Sequence, residues 1–341
     1  MLVDIINRQC FEHEVELLII NKDIDQDLLT QINPRIKVLQ INRPLKSKNP
    51  YYILKLNFIL FFSDADFIHF HQENIIRHIF VRFLKRNLCL TVHSTMMDVA
   101  EVKQFKFIFG ISSKVKEEIL HKTGKTAVLI PNGIDVQRYN REKEIYPDCF
   151  RIVQIGRLNH FLKGQHIAIE AIRQIVQSNC CRHIHLDFIG DGGSMDYLQE
   201  LSNQLNVNSY ITFAGNRSQE YIQKKLSSYD LLIQPSIIEG FGLTVLEAMA
   251  AMTPTLISNV DGMKMISKDG ELSYTFQSGN ADDLAQKIIS IVQLSEDERK
   301  TLASNAYEYV SANFDIASTA DNYLKHYEII KKGKWHENLD N

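Results

Sequence analysis

Short apolar runs of strand character alternate with helical stretches along this chain, and the alternation runs through two complete cycles. In the first cycle strands are expected at residues 14–20, 36–40, 67–70, 88–92, 107–111 and 127–130. Helices are expected at 74–85 and 114–122, the latter opened by Ser112 or Ser113 as N-cap. Tyr146-Pro147-Asp148 interrupts the pattern, and a second cycle follows with strands at 152–155, 185–189, 211–213, 231–234 and 255–258. Strand-helix-strand alternation builds parallel sheets of the doubly wound kind. The expected class is therefore α/β, two Rossmann-like domains in tandem: 1–145, 146–314, and a C-terminal helix in 315–341 that can cross back to the first domain. Open α/β sheets bind ligands outside the carboxyl ends of their strands, so two such domains are expected to face a central cleft.

Composition narrows the function. A chain of 341 residues suits two domains. Its 38 basic and 41 acidic residues leave a net charge of -3, which excludes a dedicated nucleic-acid binder. Five cysteines without a C-x-x-C pair read as reduced thiols of a cytoplasmic protein. The most apolar window, 51–62, is short of the roughly 20 residues a membrane span needs and is interrupted by Lys55 and Asn57. His69-x-His71 and His183-x-His185 each place two imidazoles on one strand face, but neither has an evident third ligand, so no metal is expected.

The most informative stretch is Pro235-Ser236-Ile237-Ile238-Glu239-Gly240-Phe241-Gly242-Leu243-Thr244, which continues to Glu247. A buried strand runs through a Pro-Ser turn and a Gly-x-Gly segment into a helix, whose first N–H groups offer a seat for an anion. Glu239 and Glu247 flank that seat. Carboxylates beside an anion site make sense if they hold sugar hydroxyls or face developing positive charge. Here the chain resembles the E-x7-E signature of retaining nucleotide-sugar glycosyltransferases with the GT-B fold, family 4 in particular. Ile155-Gly156-Arg157-Leu158 with Lys163-Gly164, Phe188-Ile189-Gly190-Asp191-Gly192-Gly193, and Phe213-Ala214-Gly215-Asn216-Arg217 resemble further family segments in the right order, as do Leu90-Thr91-Val92-His93-Ser94, Ile111-Ser112-Ser113 and Ile130-Pro131-Asn132-Gly133-Ile134-Asp135. The likeness covers roughly 88–325, and departs from the family where Met252 stands in place of a usual glycine and where Met263-Lys264-Met265 follows Gly262.

The resemblance implies a transferase of the EC 2.4 class. Glu239 would contact the donor sugar and His93 would face it. Arg157, Lys163 and the helix start at Gly242, Leu243 and Thr244 would hold the diphosphate. Glu247 would hold the ribose, and Gly156, Gly190, Asn216, Gly240 and Phe241 would complete the donor seat. The donor is a nucleotide-diphosphate sugar, with no metal or other cofactor required. The implied acceptor is a glycan or lipid-linked glycan of cell-surface polysaccharide or lipopolysaccharide assembly. Two alternatives stay open: a nucleotide-sugar epimerase or hydrolase on the same fold, and an inactive GT-B-like binding subunit.

Residues 34–90 carry 10 basic and 3 acidic residues among many aromatics, which reads as a surface for an anionic bilayer at the inner membrane face. Finally, Leu2 to Cys10 looks like a helix leading into the first strand. Family members place a strand and a glycine-rich loop before that helix. The first domain is therefore expected to lack its N-terminal strand, with upstream coding sequence supplying it.

Overall fold

The structure, a computed structural model, describes residues 1–24, 26–80, 87–141, 149–178, 183–333 and 335. The chain divides into two compact units, Met1–Gly133 with Ile316–Asn341, and Ile134–Asp315. The division falls inside the Pro131-Asn132-Gly133-Ile134 segment rather than at 145 and 146.

In the second unit six strands form one parallel sheet: β7 (Phe150–Ile155), β8 (Ile184–Ile189), β9 (Ile211–Gly215), β10 (Leu231–Gln234), β11 (Thr255–Ser258) and β12 (Tyr274–Phe276), in the order β12-β11-β10-β7-β8-β9. Ile152, Leu186, Phe188, Leu231 and Ile233 sit in one core with Ile167 and Ile172 of the helix Gln165–Ser178. Each such buried side chain contributes about 1.5–3 kcal/mol. The strand order reverses between β7 and β10, so the carboxyl ends of those two strands flank the crevice where an open sheet binds ligands.

The first unit holds a four-stranded parallel sheet of β3 (Phe67–Phe70), β4 (Asn87–Val92), β5 (Phe107–Gly110) and β6 (Val128–Leu129), and a separate parallel pair, β1 (Glu16–Asn21) with β2 (Lys37–Arg43). The helix Ser113–Thr123 starts where a side-chain oxygen can cap it. Ser112 accepts from the Val115 N–H at 3.2 Å, and Gly124 ends the helix in the left-handed conformation. The terminal helix Ile316–Lys331 packs Ala320, Tyr323 and Ile330 into the core of this first unit with Cys89, Phe107 and Phe109.

Three local expectations change. The segment 51–62 is itself a helix, Pro50–Phe62, entered through a cap in which Asn49 accepts from the Tyr51 N–H. The helix expected at 74–85 is a 3-10 segment over Glu73–His78. Its remaining basic residues Arg82, Lys85 and Arg86 lie outside the described residues. The edge strand β12 was not anticipated. Met252, where a glycine is usual, adopts φ 56°, a left-handed conformation that costs a side-chain-bearing residue about 1–2 kcal/mol.

Candidate active site

The loop after β10 turns on hydrogen bonds to a single carboxylate. Glu239 Oε2 accepts from Lys163 Nζ at 2.6 Å, Ser236 Oγ at 3.2 Å and Gln234 Nε2 at 3.3 Å, while Oε1 accepts from the Gly240 N–H at 3.1 Å. Gln234 Oε1 in turn accepts from Thr244 Oγ1 at 3.3 Å. Strand end, turn and helix start are thereby tied into one polar cluster around a carboxylate that is 11% exposed. The helix Leu243–Ala250 begins at Gly242 with no side-chain cap, and Leu243 and Thr244 are half-exposed. An uncapped helix start carries partial positive charge and free donor capacity.

Close backbone approaches place Lys163 there. The lysine ends the short helix His160–Lys163, and Gly164 closes it at φ 65°, where an added Cβ would lie 1.9 Å from the Pro235 carbonyl oxygen. The Lys163 carbonyl accepts from Gln154 Nε2 at 2.8 Å, and the Leu162 carbonyl accepts from the Ile237 N–H at 2.9 Å. The loops after β7 and β10 are therefore sewn together. Gly262 presses on the same loop, its missing Cβ only 1.8 Å from the Glu239 carbonyl oxygen. On the other flank Gly190 meets the Gly156 carbonyl and Gly192 the Leu158 carbonyl in the same manner.

The remaining residues divide by exposure. Arg157 and Asn216 are exposed at the ends of β7 and β9. Phe241 is 2% exposed and faces Phe314, so its ring anchors the loop. Glu247 is half-buried, and its Oε1 accepts from Gln219 Nε2 at 2.6 Å and from the Tyr139 hydroxyl at 3.0 Å. Gln234, Ser236, Gly262, Tyr139 and Gln219 were not anticipated. The first two were legible as the strand-end glutamine and the serine of the Pro-Ser turn, while the other three come from distant segments and carry no local signal.

His93 lies in the first unit, just past β4, and His71 lies just past the neighbouring β3. Their rings share a hydrogen bond between His71 Nδ1 and His93 Nε2 at 3.0 Å. His69, two residues back on β3, stacks on His71 and bonds Thr91 Oγ1 at 2.8 Å, and Thr91 pairs with the Tyr323 hydroxyl. The pair His69 and His71 thus sits in a ring network. His185 of the other His-x-His pair bonds Thr212 Oγ1 and lies 3.4 Å from Asp187. Burial holds His69 well below the ordinary imidazole range, and burial together with His93 lowers His71 to about 3.

An imidazole depressed in the folded state keeps its stabilising effect above the unfolded value near 6.5 and loses it as pH falls toward the folded value, since the unfolded chain then binds the extra proton. The unfolding free energy, followed in urea from pH 7 to pH 4, is expected to fall steeply. In His71→Gln the slope should be shallower by up to about 1.4 kcal/mol per pH unit. An unchanged slope would show that His71 does not titrate as its burial implies.

A lysine, a carboxylate and an uncapped helix start gathered at the switch point of a parallel sheet define an α/β enzyme built to handle an anionic substrate. The solved structure of Anabaena Alr3699/HepE in complex with UDP-glucose superposes with a TM-score of 0.81 over 96% of this chain and 94% of that one, at 21% identity, and the shared fold is GT-B. Residues 135–309 match the family Glycosyl transferases group 1, so the chain belongs to that family and is a glycosyltransferase. It is 23% identical over 285 residues to a phosphatidyl-myo-inositol mannosyltransferase of Mycobacterium leprae, across 79% of this chain and 74% of the relative. A shorter match, 29% identical across 48% of this chain and 45% of the relative, is to the lipopolysaccharide core biosynthesis glycosyltransferase LpsE of Rhizobium meliloti.

Proposed function

We propose that this glycosyltransferase is a retaining enzyme that takes a sugar from a nucleotide-diphosphate donor and passes it to a hydroxyl of a glycan or lipid-linked glycan in cell-surface polysaccharide or lipopolysaccharide assembly. The observation that carries the reading is the Lys163–Glu239 pair at 2.6 Å beside the uncapped start of Leu243–Ala250. As the bond from the anomeric carbon to the diphosphate oxygen breaks, its electron pair leaves with the diphosphate. Lys163, Arg157 and the helix start stabilise that charge, and Glu239 faces the positive charge left at the sugar. Glu247, already held by Tyr139 and Gln219, is an acceptor for ribose hydroxyls, and His93, oriented by His71, contacts substrate. The donor named for the Anabaena structure and the lipid acceptor named for the mycobacterial relative support both halves of this reading.

A thermal-shift panel of UDP-, GDP- and ADP-sugars tests it. The correct donor at 100 times its Kd should raise the melting temperature by roughly 5–10 °C. NMR of the product should then show the donor's anomeric configuration kept. No shift with any donor would favour a binding subunit, and a free or rearranged sugar formed without acceptor would favour a hydrolase or epimerase.

The helix Pro50–Phe62 supports a peripheral seat at the inner membrane face. Leu54, Phe58, Phe61 and Phe62 are all more than half exposed, and apolar side chains grouped in this way on a surface mark a membrane or partner contact. Among the described residues, Lys55 and Arg77 contribute less free charge than the sequence suggests, because Lys55 donates to the Gln40 and Ile41 carbonyls and Arg77 pairs with Asp98 and Glu101. Hydrophobic insertion therefore carries more of this proposal than charge. Phe58→Ser with Phe61→Ser is expected to reduce sedimentation with anionic vesicles by roughly tenfold or more. Binding unaffected by that pair, or lost entirely on adding salt, would overturn the insertion account.

A further inference from the structure

β10 ends on a polar residue that a fully buried strand does not call for. Leu231, Leu232 and Ile233 form the apolar run of a strand covered on both faces, and the next residue, Gln234, lies just as deep at 1% exposed. A primary amide at that depth is costly unless its hydrogen-bonding capacity is met. Gln234 meets it inside the site. Its Nε2 donates to Ser236 Oγ at 2.9 Å and to Glu239 Oε2 at 3.3 Å, and its Oε1 accepts from Thr244 Oγ1 at 3.3 Å. Both N–H groups and one acceptor position of the side chain are thereby engaged.

The polarity of this link is set by Glu239. A carboxylate paired with Lys163 offers only lone pairs, so the amide must turn its NH2 toward it and its oxygen toward Thr244. Thr244 must then donate, and its hydroxyl hydrogen is committed to Gln234. What the helix start offers a diphosphate is therefore its backbone N–H groups rather than this hydroxyl hydrogen. The carboxylate itself is held unevenly. Among the described residues Oε2 accepts from Lys163, Ser236 and Gln234, whereas Oε1 accepts only from the adjacent Gly240 N–H.

On the proposed chemistry Lys163 has two partners in turn, Glu239 in the resting enzyme and the diphosphate as it departs. When the lysine turns away, Ser236 and Gln234 are the groups left on Oε2. Ser236 is 0% exposed and its own carbonyl accepts from Ser258 Oγ at 2.6 Å, so this remaining support is rigid. We infer that Gln234 is a positioning residue for glycosyl transfer: its amide holds Glu239 and Thr244 in fixed relation, so that the carboxylate keeps its aim at the sugar while Lys163 goes to the diphosphate. The inference rests on the function proposed above for Glu239 and Lys163. A matching device serves the lysine. Gln154, 2% exposed near the end of the neighbouring strand β7, donates from Nε2 to the Lys163 carbonyl at 2.8 Å. One buried glutamine thus fixes the backbone of the residue that moves, and the other fixes the side chain of the residue that stays.

Release of nucleoside diphosphate in steady-state transfer, with the UDP-, GDP- or ADP-sugar that most stabilises the wild type, tests this alongside calorimetric binding of the matching nucleoside diphosphate. Gln234→Met is expected to lower kcat roughly 10–100-fold while KM for the donor stays within about threefold, the signature of lost aim rather than lost binding. Gln234→Glu keeps the length of the side chain and an oxygen for Thr244. It removes both N–H donors and sets a second carboxylate against Glu239, so it should recover none of that loss. Thr244→Val should lower kcat roughly 3–10-fold and bind the nucleoside diphosphate within about threefold of wild type. In a Gln234→Met background it should add nothing further, because the hydroxyl acts through the amide. Circular dichroism and urea unfolding accompany each variant, and should Gln234→Met fail to fold, the outcome at the half-exposed Thr244 decides. Wild-type kcat in folded Gln234→Met or in Thr244→Val, a fall confined to KM or to nucleotide affinity, or kcat losses that multiply in the double variant would overturn the positioning role. Glu239→Ala separates this from failure of the proposed function. If that variant turns over normally the function itself is wrong; if it is inactive while Gln234→Met is unimpaired, only the positioning role falls.

Discussion

Lys163→Ala is expected to lower kcat by roughly 10²–10³-fold, the usual cost of removing one preorganised group that meets charge as it develops. The lysine touches Glu239 in the resting enzyme, and on the proposed mechanism it meets the departing diphosphate only as the glycosidic bond breaks. kcat and kcat/KM should therefore fall together in steady-state assays, with KM little changed. Lys163→Arg keeps the charge but replaces a compact ammonium by a planar fork, and should recover only part of the activity. Lys163→Ala with normal turnover and a native circular dichroism spectrum would remove this residue from the mechanism and leave the Glu239 cluster as a structural knot.

Gly164→Ala should be a strongly damaging conservative change in the second unit. An added Cβ would lie 1.9 Å from the Pro235 carbonyl oxygen and 2.9 Å from its carbon, at a position already in the left-handed conformation. Left-handed strain of about 1–2 kcal/mol and overpacking of about 1–3 kcal/mol together predict a loss of roughly 2–5 kcal/mol in urea unfolding. Activity should fall as well, because the displaced backbone is the one that presents Lys163. Gly193→Ala is the matched control: nothing lies within 4 Å of its Cβ, so stability should stay within about 0.5 kcal/mol. Equal effects at the two positions would refute the packing argument.

The strands were readable where physics makes them conspicuous. β3, β10 and β11 occupy the residues expected of them, because each is a short, mainly apolar run of the kind a parallel sheet strand requires. β12 has three residues at a sheet edge, too few to carry a period. Pro50–Phe62 hid for the opposite reason: it is apolar and aromatic around much of its circumference, so no polar stripe marked it as a helix. At the site, Glu239, Lys163 and Glu247 stood out through spacing and resemblance. Tyr139 and Gln219 reach Glu247, and Gly262 reaches the Glu239 backbone, from distant segments, and only the folded chain shows the bonds and contacts they make. The resemblance put Gly190 in the donor seat, and Gly192 belongs to the same glycine-rich turn. Their closest contacts are with the backbone of 156–158, so they first join two loops, whatever they later bind.

The return of Ile316–Lys331 to the first unit has a consequence for biogenesis. The segments that make up the second unit, Ile134–Asp315, have all been synthesised before the final helix is made. That unit can close its own core during synthesis, at about 5–20 residues per second. The first unit, although translated first, must wait for Ala320, Tyr323, Ile330 and Trp335 to seal Phe107 and Phe109. Order of synthesis and order of folding are reversed between the two halves. A nascent chain stalled before residue 316 would expose the unfinished apolar face of its oldest portion, and it is that portion which chaperones would be called on to shield.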